Sequence, residues 1–273
     1  MNSPAQLQQQ YEGTRLAAAA YGAENIKSLL ARNTSSTELQ AGLRSTLVQQ
    51  GYTRAQADSF ASKYTPVAAL DQDGAGVVIF RDNGSGKIAV AVRGTEKEWG
   101  ERLVNDLLLA DGTIAQNHLP LYQTTLIANF VLRETTPAGE PVPQFAVNGI
   151  GNNLDDMKRA ALESLASTTG GEAGSVPQMI TLPKMVQTGT VYGTGRALGE
   201  CADAAAHSEG SPEVTTIGSA LAQCSRITTV NGPGVSGAQM QSMACMRRNT
   251  CNLQRQRQQR KPADLSGKRS GRQ

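Results

Sequence analysis

The sequence is short of aromatic and histidine residues and has no long apolar run. Aromatic residues make up 4% of the 273 positions, and the two histidines are His118 and His207. No stretch approaches the roughly 18 consecutive apolar residues that a membrane-spanning helix needs, so the sequence predicts no transmembrane segment. Abundant Gly and Ala instead indicate a globular protein of closely packed helices and strands. Its length suits one large α/β domain or two small ones.

The sequence also predicts no secretory signal. The start, Met1-Asn2-Ser3-Pro4-Ala5-Gln6, has neither the basic segment nor the apolar stretch of a signal peptide. We therefore expect a cytoplasmic protein, or one that is exported by a leaderless route.

Cysteine occurs at four positions, all in the last third of the chain: Cys201, Cys224, Cys245 and Cys251. Cys245 and Cys251 are too far apart for a CxxC pair, and no histidine lies near them at zinc-finger spacing. The sequence therefore predicts no metal site. Cys201 and Cys224 are expected to pack as small hydrophobic residues.

The formal net charge of +3 combines two unlike parts of the chain. Of 26 basic and 23 acidic residues, nine and one lie in residues 247–273, which leaves 17 basic and 22 acidic residues elsewhere. The basic character is therefore a property of the C-terminal tail. Residues 243–273 show no apolar periodicity, and their Gln, Arg, Lys and Ser content predicts disorder.

The first 65 residues are predicted to be helical, because apolar residues recur there at helical spacing. Ser35 or Ser36 is expected to cap the third helix, with Glu38 in its first turn, and Thr53 opens the fourth. We assign residues 1–65 to an N-terminal helical segment packed on the domain that follows.

The pattern changes at residue 74, where two apolar runs flank Asp82-Asn83-Gly84-Ser85-Gly86. They predict a hairpin of residues 77–81 and 88–92, the second strand being apolar enough for burial on both faces. The alternation that follows predicts an α/β fold over residues 66–242, with a mostly parallel, doubly wound sheet and helices on both faces. The predicted helices are 103–109, 119–132, 153–165 and 197–207, the predicted strands are 144–147, 189–192 and 226–231, and residues 167–178 are predicted to form a surface loop.

The segment Gly195-Arg196-Ala197-Leu198-Gly199 lies between a predicted strand and a predicted helix. Its glycines stand two residues before and two after position 197, the spacing of a nucleophile elbow. The residue at position 197, where the attacking serine of such a turn would stand, is alanine.

Three further blocks accompany this turn: Arg93-Gly94-Thr95-Glu96, Asp106-Leu107 and Thr228-Thr229-Val230-Asn231-Gly232-Pro233-Gly234. Together they resemble the lipase class 3 family and related bacterial lipases of the α/β-hydrolase superfamily, over roughly residues 10–236. The resemblance implies an α/β-hydrolase fold and cofactor-free hydrolysis of carboxylic or phospholipid acyl esters. It also implies that the main chain of Thr95 and of Leu198 forms an oxyanion hole beside Ala197, the nucleophile position.

The chain departs from that family pattern at three points. Ala197 has no hydroxyl to form an acyl-enzyme, and Arg196 and Glu200 stand where the family has a histidine and a glycine. The family places its catalytic Asp and His after the nucleophile, whereas His118 precedes it and Asp264 belongs to the tail. His207, at the far end of the predicted helix, would be about 15 Å away. We therefore expect this chain to be inactive as a triad hydrolase.

Other interpretations stay open at this point. The chain could be a non-catalytic, lipid- or partner-binding pseudo-hydrolase. Gly193-x-Gly195-xxx-Gly199 is a loose match to a dinucleotide fingerprint that lacks its last glycine, and it could equally be a turn that lets helix and sheet pack closely. Arg93 and Glu96 are expected to be solvated or ion-paired rather than catalytic.

The partner expected from these patterns is a lipid or ester small molecule, with possible peripheral contact to a membrane. The basic tail has no interleaved aromatic residues, so no specific nucleic-acid binding is expected from it.

Overall fold

A computed structural model describes residues 3–32, 35–94, 121–148, 184–207 and 224–230. The helices in these ranges are α1 (Pro4–Ala19), α2 (Ala23–Ala31), α3 (Ser36–Gln49), α4 (Arg54–Lys63) and α5 (Leu121–Thr135), with a 3-10 turn at Ala20–Gly22. The strands are β1 (Tyr64–Gln72), β2 (Ala75–Asp82), β3 (Ile88–Val92), β4 (Pro141–Asn148), β5 (Lys184–Tyr192), β6 (Cys201–His207) and β7 (Arg226–Val230).

Two of the N-terminal helices, α3 and α4, begin where local sequence signals predict. Ser35 caps α3, and its hydroxyl accepts a hydrogen bond from the main chain of Glu38. Thr53 caps α4 in the same way through Gln56. Each cap satisfies main-chain donors that the helix leaves without partners, which fixes where the helix starts.

Five strands form one mixed sheet in the order β1-β2-β3-β6-β7. β1 and β3 both run antiparallel to β2, whereas β3, β6 and β7 are parallel to one another. β4 and β5 form a separate antiparallel pair. The α/β class is confirmed, and the sheet is mixed rather than mostly parallel.

The β2–β3 hairpin is as predicted, and its turn is held by one carboxylate. Oδ1 of Asp82 accepts hydrogen bonds from the main-chain N–H groups of Gly84 and Ser85, at 2.9 and 2.7 Å. Such an Asx turn reverses the chain locally, and Asn83 also donates to the carbonyls of Ser62 and Lys63 at the end of α4.

Helices cover both faces of the five-stranded sheet. Successive residues of β2 point to opposite sides, so Val78 and Phe80 pack with the N-terminal helices while Val77 and Ile79 pack with α5. The alternation continues in β6, where Ala205 faces the N-terminal helices and Ala204 and Ala206 face α5. The strands in the middle are apolar on both sides because both sides are covered.

Two elements differ from the sequence predictions. The segment 197–207, predicted as a helix, is a turn followed by strand β6. Alanine favours helices by only a few tenths of a kcal/mol per residue over most other residues, and burial of β6 between β3 and β7 outweighs this preference. Strand β1 was missed, because Pro66 and a bulge between Pro66 and Ala68 interrupt its alternation.

Several predicted features lie outside the described residues. These are the helices 103–109 and 153–165, the loop 167–178 and the tail 243–273. The helix predicted at 119–132 corresponds to α5, and the strands predicted at 144–147, 189–192 and 226–231 correspond to β4, β5 and β7. Within the described part of the chain, no helix combines the length and apolar character needed to cross a membrane.

Candidate functional site

The turn around Ala197, predicted as the nucleophile position, packs against the C-terminal end of α5. Ala197 is fully buried, and its main-chain N–H donates to the carbonyl oxygen of Glu134 at 2.9 Å. Thr194 and Gly195 donate in the same way to the carbonyls of Arg133 and Thr136, each at 2.9 Å. The turn therefore supplies donors to carbonyl groups that the end of a helix leaves without partners.

Side chains reinforce this contact. The carboxylate of Glu134 is almost fully buried and accepts a hydrogen bond from Thr194 Oγ1 at 2.8 Å. The guanidinium groups of Arg133 and Arg196 approach the same carboxylate, at 3.5 and 3.9 Å. A buried carboxylate is costly without such partners, so the contacts of Glu134 help to fix the conformation of the turn.

The glycines of the turn are required by space and by backbone conformation. A Cβ at Gly193 would lie 2.5 Å from the main-chain oxygens of Thr136 and Pro137. Gly195 and Gly199 have φ angles of +67° and +149°, which side chains disfavour. These contacts are what a close-packing turn requires.

The predicted surroundings of a nucleophile elbow are only partly present. The strand before the turn, β5, pairs with β4 outside the five-stranded sheet, and a strand follows the turn instead of a helix. Of the two predicted oxyanion donors, Leu198 is 43% exposed and Thr95 lies outside the described residues. The strand–turn–helix expectation at residue 197 is therefore wrong, and the roles of Thr95, Ala197 and Leu198 stay predictions.

Three parallel strands end together at another place in the molecule. In the register of the sheet, Val92 of β3 is level with Ala206 of β6, and His207 of β6 is level with Val230 of β7. Adjacent strands lie about 4.8 Å apart, so the three carboxyl ends form a row about 10 Å across. Ligands of open α/β sheets bind outside the carboxyl ends of the strands, which makes this edge a candidate site.

The residues that follow these three strands contain a motif that the sequence predictions missed. The residues after β3 begin Arg93-Gly94-Thr95, those after β7 are Asn231-Gly232-Pro233-Gly234, and Ser208-Glu209-Gly210 follow His207 of β6. The pattern His207-Ser208-x-Gly210 begins at the last residue of β6, and it was missed because residues 197–207 were predicted to form a helix. Residues 208–210 and 231–234 lie outside the described residues.

Arg93, at the end of β3, is ion-paired and nearly inaccessible to solvent. Its Nη1 lies 2.7 Å from Oδ1 of Asp71, and its Nη2 donates to the carbonyl of Gly74 at 3.1 Å. The sequence predicted that Arg93 is either solvated or ion-paired, and the structure shows that it is ion-paired.

Cys201 and Cys224 form a disulfide between the start of β6 and the residues that lead into β7. The prediction that they pack as free hydrophobic residues is wrong. Two residues further along β6, Asp203 accepts two hydrogen bonds from Arg226 of β7, at 2.6 and 2.8 Å. Both links lie toward the amino ends of the strands, away from the candidate site.

His207 is the last residue of β6, so the helical distance expected between it and residue 197 does not apply. His118 lies outside the described residues. Among the described residues, no three His, Cys, Asp or Glu side chains are grouped in a way that could hold a metal ion. Comparison of the chain with protein-family models, with curated proteins and with solved structures found no match.

Proposed function

We propose that this chain is a serine hydrolase of the lipase or esterase type by lineage, with its acyl-transfer site at the carboxyl ends of β3, β6 and β7. The supporting observation is the parallel order β3-β6-β7. In this order β6, which precedes Ser208, lies between β3, which the Arg93-Gly94-Thr95 block follows in sequence, and β7, which the Asn231-Gly232-Pro233-Gly234 block follows in sequence.

Ser208 replaces position 197 as the candidate nucleophile in this proposal. The lipase pattern has a histidine directly before the serine and a glycine two residues after it, and His207 and Gly210 satisfy both requirements. Ala206 stands in place of the first glycine of the motif. Ala197, by contrast, has its main-chain N–H bonded to the end of α5 and lies in a turn explained by packing.

The chain should nevertheless be a poor catalyst. His207 stands directly before Ser208, whereas the family places its catalytic histidine after the nucleophile. No histidine follows Ser208 in the sequence. Loss of the general base lowers kcat by roughly 10⁶-fold in a triad hydrolase, although an oxyanion hole and bound substrate keep about 10³-fold over water.

A fluorophosphonate probe, with the labelled peptide identified by mass spectrometry, tests this proposal. We expect slow labelling of the wild-type chain at Ser208, no labelling of Ser208→Ala, and no new label at residue 197 in Ala197→Ser. Labelling at residue 197 would instead indicate that the nucleophile position lies in the turn between Gly195 and Gly199. A wild-type chain that stays unlabelled after prolonged incubation in excess probe contradicts the proposal that Ser208 is its nucleophile.

The missing base favours a second candidate, a lipid-binding protein on the same scaffold. In that case a long-chain fatty acid or a lysophospholipid should raise the melting temperature of wild type and of Ser208→Ala equally. Equal melting temperatures with and without these ligands exclude this second function.

A further inference from the structure

Helices α3 and α4 are joined by a short connection that is fixed at several points. Gly51 ends α3 with a φ of +87°, and Thr53 caps α4. The ring of Tyr52 packs edge-on against that of Phe60, with 6.0 Å between the ring centroids, and its hydroxyl donates to the main-chain carbonyl of Arg15 in α1. The two helices are therefore held in a fixed position relative to each other.

An open cavity of about 350 Å³ lies between the last turns of α3 and the first turns of α4. It forms where the small side chains of Ser45 on α3 and Ala57 on α4 do not fill the space between the helices. Its volume is at the lower end of the range for small-molecule sites, about 300–1,000 Å³. The cavity therefore admits a small organic molecule.

Part of the cavity wall is apolar. Val48 is 42% exposed, although valine is among the residues most often found buried. Ala57 is 1% exposed, so it lies at the base of the cavity. An apolar chain bound here would remove the side chain of Val48 from water, which favours binding.

The rest of the wall carries a net positive charge, from Arg44 and Arg54 against Asp58. Nε of Arg44 lies 3.0 Å from Oδ1 of Asp58, and these two side chains form an ion pair. Arg54 has neither a hydrogen bond nor an ion pair to its side chain within the described ranges. Its guanidinium is therefore available to an anion, and its planar donors match the two oxygens of a carboxylate.

We propose that this cavity binds a small carboxylate with a short apolar chain, the carboxylate at Arg54 and the chain against Val48 and Ala57. No residue of the cavity wall belongs to β3, β6 or β7, so the inference does not depend on the proposed acyl-transfer site. An amine of the same length meets the net positive charge, and a carboxylate without a chain leaves Val48 in water. Both should bind more weakly.

Titration of the isotope-labelled full chain with octanoate, followed by NMR, tests the proposal. We expect the largest amide shifts within residues 44–58, and a Kd of roughly 0.1–1 mM from the affinity per non-hydrogen atom of small ligands. Octylamine and acetate, as the matched ligands, should each bind at least roughly tenfold more weakly.

Three variants show whether the binding takes place in the cavity. Arg54→Gln should raise the Kd for octanoate roughly tenfold, because a charge-assisted hydrogen bond is lost. Val48→Thr keeps the shape of the side chain and should raise the Kd about threefold, because it removes apolar contact. The control is Arg32→Gln at the end of α2, which removes an equal charge from an exposed position and should leave the Kd unchanged.

Octanoate that shifts no amide within residues 44–58 overturns the proposal. An equal Kd for wild type and Arg54→Gln also overturns it, since the carboxylate would then bind elsewhere. Octylamine that binds as tightly as octanoate would show that the cavity does not select anions.

These outcomes are distinct from failure of the proposed function. Labelling of Ser208 tests the hydrolase separately, and an unlabelled chain leaves the expected binding of octanoate unchanged. Arg54→Gln also separates this cavity from the second candidate function. A rise in melting temperature caused by a long-chain fatty acid at the edge of the sheet should persist in that variant.

Discussion

At the scale of single residues, Gly195 combines two constraints that usually occur separately. Its φ of +67° is unfavourable for a side chain, and a Cβ there would lie 3.0 Å from the main-chain nitrogen of Ala138. Gly51 has a φ of +87° but open space around it. Comparing the same substitution at the two positions therefore separates the energetic cost of the backbone conformation from the cost of crowding.

We expect Gly195→Ala to lower the free energy of unfolding by about 2–3 kcal/mol, of which about 1 kcal/mol comes from the conformation alone. Gly51→Ala should lower it by that smaller amount. Urea unfolding of both variants measures the difference. Equal losses would show that the turn can move away from α5 without cost. Labelling at Ser208 should be unaffected by either substitution.

At the scale of elements, local chemistry predicted some parts of the fold and long-range pairing decided the rest. A few adjacent residues determine the caps of α3 and α4 and the turn Asp82–Gly86, and the sequence predicted all three. β6 was read as a helix, because the residues that make it a strand are its neighbours in β3 and β7. Its burial depends on pairing across more than a hundred positions of sequence.

The same distinction applies to the candidate site. The glycine spacing around residue 197 is a local pattern, so it was easy to find, and the structure gives it a packing role. Which strand lies between β3 and β7 is not a local property. With β6 in that place, the residues after His207 become the candidates for the proposed acyl-transfer site, instead of those after Gly195.

The Cys201–Cys224 disulfide should stabilise the β6–β7 pair. It closes a loop across a sequence separation of 23, for which chain-entropy arguments give about 3 kcal/mol. We therefore expect a reductant to lower the free energy of unfolding by about that amount, measured in urea.

Two variants identify the cysteines responsible. Cys201→Ala/Cys224→Ala should unfold like the reduced wild type and be insensitive to reductant. Cys245→Ser/Cys251→Ser should keep the full response. If the response to reductant disappears in the second variant, the stabilisation comes from Cys245 and Cys251 and not from the Cys201–Cys224 disulfide.

At the scale of the whole molecule, one sheet joins two hydrophobic cores. Ile79 and Phe80 are adjacent in β2 and both fully buried, yet Ile79 packs with α5 and Phe80 with the N-terminal helices. Because the same strands line both cores, loosening one core removes support from the other. The two layers of helices should therefore unfold together.

We expect Ile79→Ala and Phe80→Ala each to destabilise the chain by about 3–4 kcal/mol and to leave a single unfolding transition. Differential scanning calorimetry should show one endotherm for each variant, shifted to lower temperature. A second endotherm in Phe80→Ala alone would show that α1–α4 form an independent unit.

The disulfide also gives the chain a closed covalent ring, and Ser208 lies within it. Trypsin can cut after Arg196 and after Arg226 but has no site between them. Digestion of the oxidised chain therefore releases Cys201, Ser208 and Cys224 in one cyclic peptide, in which a single backbone break separates no fragments. A probe bound to Ser208 can be assigned to that residue only after the ring has been opened by reduction.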